Sequence, residues 1–251
     1  MQTMTADGRT EGFRPPTQAR SRATLARIAA ATDALLAERG PARVTVADVV
    51  ERAKASVGSF YARFDDKDAA IRYVHERFWA ELRARWERWL EPERWRDAEP
   101  VAVVAGVIRM LVRIQFREAS RLRAFMIDAL TRPDGELIRR TAELDRHVAE
   151  RVAALLAETD RGLADPASRR VAASGFQRVL SAVRDDVMLG RLPGPEPDVT
   201  ARERILVLTR MYAGLLDLDG APRSYAALLR LCASARRAHG RPEAVRFDDR
   251  G

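Results

Sequence analysis

The sequence predicts an all-α protein. Ala, Leu, Arg and Glu dominate it, aromatic residues make up only 6%, and strand-like alternation of Val, Ile, Thr and Tyr is almost absent. Apolar residues recur at helical spacing, between Pro and Gly punctuation, along most of the 251 residues. With 47% hydrophobic residues the chain can bury one large core or two smaller ones.

Residues 1–19 contain Gly, Pro, Thr and Arg without periodicity and are expected as a disordered tail. From Ser21 the positions Leu25, Ile28, Ala29, Thr32, Leu35 and Leu36 mark a first helix, which Gly40 and Pro41 close. Thr45 then stands as N-cap, with Asp48 in the capping-box position, for a short helix through Ala53. A break at Lys54–Ser56 leads to a second short helix from Val57 to Phe64. Asp65 or Asp66 caps a long helix reaching about Leu90. Further punctuation cuts the remainder into helices over roughly 101–118, 120–131, 136–158, 167–189, 199–217 and 223–238. Residues 239–251 are polar and expected as a loose tail.

Two short helices joined by about three residues, after a longer supporting helix, describe a helix-turn-helix. Such a unit places its second helix in the major groove of double-stranded DNA, where base edges differ in donors, acceptors and methyl groups. Phe60 and Phe64, four apart, supply the face that the second helix must bury. Val57, Gly58, Ser59, Tyr61, Ala62 and Arg63 are left for the other face. Charge points the same way: the net is +8, and between Arg14 and Phe64 nine basic residues stand against four acidic ones. The two lysines of the chain, Lys54 and Lys67, flank this second helix.

The run "TVADVVERAKASVGSFYARFDDKDAAI" (residues 45–71) resembles the DNA-binding segment of the tetracycline-repressor (TetR) family of bacterial transcription regulators. Thr45, Ala53, Ser56, Gly58, Tyr61, Phe64 and Lys67 match that family's pattern in type and spacing, and the likeness covers about residues 20–75. The resemblance implies that Thr45, Ser56, Tyr61 and Lys67 contact phosphates. It places Val57, Gly58, Ser59, Ala62 and Arg63 toward the groove, with Arg63 the candidate for guanine and Val57 for thymine methyls. Arg20 and Arg22 would reach the backbone or minor groove. Lys54 stands where the family usually has the turn glycine and would add a phosphate contact. Ala55 replaces a larger aliphatic residue. The domains expected are a DNA-binding unit at 20–71 and a helical effector-binding and dimerisation domain at 72–238.

In the long helix, Ile71, Val74, His75, Phe78, Leu82, Trp86 and Trp89 form one stripe. A lone histidine on such a stripe is ordinarily a hydrogen-bonded core residue, with a ligand contact as the alternative. Helix 101–118 is apolar nearly all round and belongs at the centre of a domain. His75, Trp79, Trp86, Ile108, Leu111, Gln115 and Phe125 are the candidate lining of an effector pocket, for which a largely apolar small molecule is the expectation. Ordinary core packing is the competing reading. Phe176, Val179, Leu180, Val183 and Val187, followed by Ile205, Leu208 and Tyr212, form stripes on two later helices that could pair with their copies in a homodimer. Burial within one chain is the competing reading here.

Cys232 is the only cysteine, which excludes an intrachain disulfide and a cysteine-rich zinc site, so no metal and no cofactor is expected. No apolar run is long enough for a membrane span and no signal peptide opens the chain, which predicts a cytoplasmic protein. Two rival functions were weighed against a ligand-responsive repressor. A helical enzyme, or a small-molecule-binding protein without sequence-specific DNA binding, lacks a nucleophile or metal motif to support it. A sequence-indifferent DNA-coating protein leaves the register of the second helix unexplained.

Overall fold

The computed structural model describes residues 11–131, 135–188 and 197–237, with backbone alone for 197–200 and 235–237. The expected tail 239–251 and residues 1–10 lie outside the described residues. Among the described residues there are ten α-helices and no sheet. They are α1 (Ala19–Arg39), α2 (Val46–Ala53), α3 (Val57–Tyr61), α4 (Lys67–Trp89), α5 (Pro100–Arg117), α6 (Ala119–Thr131), α7 (Glu136–Thr159), α8 (Pro166–Met188), α9 (Pro197–Leu215) and α10 (Tyr225–Arg237). No described helix is long and apolar enough to cross a membrane.

The chain forms two compact units, Met1–Arg83 with Ser120–Arg140, and Ala84–Ala119 with Thr141–Gly251. The first unit is larger than the 20–71 domain expected, because α6 packs on α1 and on the first part of α4. Arg121 of α6 pairs with Asp33 of α1 at 2.9 Å and lies over the Phe78 ring of α4. Phe78 in turn meets Phe125 of α6 edge-on, and Arg140 pairs with Glu76 at 3.2 Å. These contacts link residues scores of positions apart, which local patterning does not register.

Within this unit α1 is the support. Leu25, Ile28, Ala29, Thr32, Leu35 and Leu36 are buried, the positions that helical spacing predicts. Residues 11–18 correct an expectation: they are not a free tail but pack on the unit. Phe13 forms an antiparallel bridge with Phe64, and its ring lies 4.5 Å from that of Tyr73. Burial of an aromatic ring outweighs the ordering of a few residues, and a reading by composition alone missed it.

In the second unit α5 is buried on nearly every side and packs against α8, α9 and α10. Gly106 lets the Trp95 ring lie against the α5 backbone, since a Cβ there would overlap that ring. Trp95 cannot easily retreat: it is buried, and its indole N–H donates to Trp89 O at 2.9 Å. The α8–α9 contact is built on Tyr212, whose hydroxyl donates to Ala172 O at 2.7 Å. Its ring lies 5.7 Å from Phe176, and burial pushes its phenol well above the ordinary tyrosine value.

The residues expected at a dimer interface are therefore core residues of the single chain. Phe176, Val179, Leu180, Val183, Val187, Ile205, Leu208 and Tyr212 are all buried within it. A stripe must cover itself with something, and α5 and the α8–α9 pair supply that cover before a second copy is needed. The apolar side chains left exposed on the same helices are Val171, Val207, Met211 and Leu215.

Candidate nucleic-acid interface

The interface is built from α2, the turn and α3, each held by local chemistry. Thr45 caps α2 in a full capping box. The Asp48 N–H donates to Thr45 Oγ1 at 3.2 Å, and the Thr45 N–H donates to Asp48 Oδ2 at 3.1 Å. The hydrogen bonds from Thr45 hold the Asp48 carboxyl below its ordinary value, with Arg39 adding a smaller pull. At the far end, Arg27 of α1 donates to Ala53 O at 3.1 Å, a cation at the negative end of α2. Arg52 joins Glu38 of α1 through two hydrogen bonds at 2.6 and 2.7 Å.

The turn is left-handed at Lys54, with φ 48° and ψ 51°. The Ala55 N–H donates to Val50 O at 2.9 Å and the Lys54 N–H to Glu51 O at 3.1 Å. That pair of bonds is a Schellman ending, which satisfies two carbonyls of α2 and redirects the chain. Glycine is favoured at its left-handed position. A lysine costs about 1 kcal/mol there and keeps an exposed ammonium next to α3.

Ser56 opens α3 by accepting the Ser59 N–H at 3.1 Å, and its hydroxyl also meets that of Ser59 at 2.8 Å. α3 ends at Tyr61, three residues short of the Phe64 expected, and Phe64 instead lies in the bridge with Phe13. Both Phe60 and Phe64 are nonetheless fully buried. The opposite side of α3 is open: Val57 is 51% and Tyr61 48% exposed, and Gly58 and Ala62 are exposed as well. A Cβ built on Gly58 would meet nothing nearer than Ser56 Oγ at 4.0 Å. No packing among the described residues requires glycine here.

Arg63 follows the helix, half-buried, with one long bond of 3.4 Å to Ala62 O. Lys67 begins α4 and donates to Pro41 O at 3.3 Å, so one of the ammonium's three donors is committed inside the unit. Asp66, not Asp65, caps α4 by accepting the Ala69 N–H at 2.7 Å. Arg20 and Arg22 sit in the first turn of α1 rather than ahead of it, exposed, with Arg22 donating to Thr17 O at 3.0 Å. Lys54, Ser56, Val57, Gly58, Tyr61 and Ala62 are thus exposed along the turn and the open side of α3, and Thr45 is exposed at the start of α2. Hydroxyl and cationic donors of the kind that bind phosphate oxygens are present there, beside small side chains.

Residues 28–74 match the profile of the family described as bacterial regulatory proteins, tetR family. That match covers the α1–α4 segment that holds the helix-turn-helix, which is therefore of TetR type. Salmonella enterica GusR, a solved structure, aligns with a TM-score of 0.50 over 77% of this chain and 95% of its own, at 17% identity. That likeness speaks to the fold, which is TetR-like. No curated protein sequence matches the chain significantly. The matched segment is thus a helix-turn-helix domain of the kind found in bacterial DNA-binding regulators.

The candidate effector residues fall in both units. In the first, His75 is fully buried, its ring 4.0 Å from that of Phe125 and its Nδ1 3.8 Å from Asp128 Oδ2. Trp79 is half-buried. In the second, Ile108 and Leu111 lie in the all-round core of α5, Trp86 meets Phe176 edge-on, and Gln115 is half-buried. Most of these residues pack against their own unit. One open cleft in the second unit, of about 590 Å³, lies elsewhere, between Asp97–Glu99 and Arg230–Ser234 of α10. Among the described residues no group of three His, Cys, Asp or Glu could hold a metal ion. Missed by sequence reasoning were Gly12, Phe13, Arg14 and Arg27. A solitary phenylalanine between glycine and arginine in a polar tail was the signal available.

Proposed function

We propose that the protein is a homodimeric repressor, working in the cytoplasm and without enzymatic activity. Its two α3 helices read an inverted-repeat operator, and a small, largely apolar effector releases it. The observation that carries this reading is the division of α3 into a buried face, Phe60, and an open one. The open face consists of Val57, Gly58, Tyr61 and Ala62. Tyr61, Ser56, Thr45, Lys54 and Lys67 are the phosphate donors of this proposal, with Arg20 and Arg22 alongside. Arg63 is the candidate for a guanine edge and Val57 for a thymine methyl.

A five-residue helix reads few bases, so a two-fold pair doubles the site. The surface offered to a second copy is the exposed face of α8 and α9, with Val171, Val207, Met211 and Leu215 around the small exposed residues Ser174 and Gly214. A shallow depression of about 510 Å³ lies between Val171, Gly175, Arg178 and Leu215. Effector binding would favour the state whose recognition helices no longer sit roughly one DNA turn, about 34–36 Å, apart.

The test is selection of bound duplexes from a random pool by the full-length protein. An inverted repeat bound far more tightly than random DNA, with steep salt dependence, is the expected outcome. Equal affinity for selected and random duplexes would overturn it. Turnover of any compound by the purified protein would overturn the non-enzymatic part.

A further inference from the structure

We propose that Gly12–Phe13–Arg14 is a clip that positions the recognition helix for DNA reading. The proposal rests on α3 being the reading helix. α3 spans five residues, too short to be stable in isolation. The turn that follows uses the Gly58 and Phe60 carbonyls but not those of Tyr61 and Arg63. One residue, 47 positions before Tyr61, donates to two of the carbonyls there. The Arg14 guanidinium donates to Tyr61 O at 3.0 Å, and the Arg14 N–H donates to Arg63 O at 2.8 Å.

The same guanidinium pairs with Asp65, whose own N–H donates to Gly12 O at 3.0 Å. Phe13 packs against both Phe64 and Tyr73, with ring centroids 5.6 and 4.5 Å away, in a cluster of three rings. Gly12 has a φ of +76°, and a Cβ there would stand 3.0 Å from Ala69 Cβ and 3.3 Å from Asp65 Oδ2. Conformation and space both demand glycine at that position. Three consecutive residues are thus shaped to the end of α3 and the turn into α4.

The backbone they hold is that of Tyr61 and Arg63, the proposed phosphate and guanine donors. Loosening the clip would let the last turn of α3 move and displace both side chains together, while removing neither. Arg14 is a positioning residue in this reading and not a DNA contact.

The test uses the full-length protein and the duplex that the wild type selects from a random pool. Affinities would be measured across a series of salt concentrations for wild type, R14A, R14K, D65N, Y61F and R14A/Y61F. The clip predicts that R14A keeps its helical signal and binds about tenfold more weakly, with its salt slope unchanged. R14K should stay weak, since an ammonium cannot span the Tyr61 carbonyl and Asp65 as a planar fork does. D65N separates the readings by sign: losing a negative charge beside DNA should tighten binding on charge alone, whereas the clip predicts weaker binding. Y61F should cost less in the R14A background than in wild type.

Unchanged affinity of R14A, a salt slope reduced by about one, full rescue by lysine, tighter binding by D65N, or additive effects with Y61F would each overturn the clip. Failure of the wild type to select any sequence would instead overturn DNA reading by α3, before any variant is compared.

Discussion

Lys54 occupies a left-handed position that glycine would fill without strain. Lys54→Gly should therefore raise stability by up to about 1 kcal/mol in chemical denaturation. If the ammonium touches phosphate, the same variant should lower the salt slope of DNA binding by about one. On the open face of α3 the expected losses differ in kind. Arg63→Ala should relax base preference at one position per half-site, at roughly 1–3 kcal/mol of discrimination. Tyr61→Phe should weaken binding to all sequences alike, and competition with scrambled duplexes tells the two outcomes apart. The side chains facing outward were legible from residue type and register. The commitment of Lys67 to the Pro41 carbonyl was not, because the two are far apart in the chain and meet only when α4 docks.

The capping box at the start of α2 was readable as Thr45 and Asp48 three apart, and the hydrogen bonds bear it out. Thr45→Ala should lower stability by about 1 kcal/mol. Because its carboxyl is held below the ordinary value, Asp48 contributes stability that is present above that value and lost as the pH falls through the lowered one. Asp48→Asn should accordingly flatten the acid side of a stability–pH profile. The length of α3 was less legible: Phe64 has the right spacing for the helix but is drawn into a bridge with Phe13. Within α5, Gly106→Ala should cost roughly 1–3 kcal/mol by overpacking against Trp95, although alanine is the better helix former. A thermal melt in which this variant is more stable than wild type would contradict that packing.

The proposed dimer and the core of the second unit make separable predictions. Met211→Glu, on the exposed face of α9, should shift the protein toward monomer in sedimentation while leaving its melting temperature near that of the monomeric core. Operator affinity should fall with it, since one short helix reads only half a site. Phe176→Ala, at a fully buried position, should instead destabilise the fold by about 3–5 kcal/mol. If Phe176→Ala dissociated the dimer and left the monomer's stability unchanged, the assignment of that stripe to the chain's own core would fail.

What the sequence determined by itself was set within about four residues. That includes helical periodicity, the cap at Thr45, the buried pair Phe60 and Phe64, and the small residues on the open face of α3. These are local because helix hydrogen bonds and side-chain neighbours recur at that spacing. Tertiary structure alone decided which apolar stripes were already covered, so that Phe176 and Tyr212 went inward and Met211 stayed out. It also decided that Phe13 and Arg14 close the end of α3. A contact 47 residues distant is chosen by shape and unmet hydrogen bonds in the folded chain, and no local pattern encodes it.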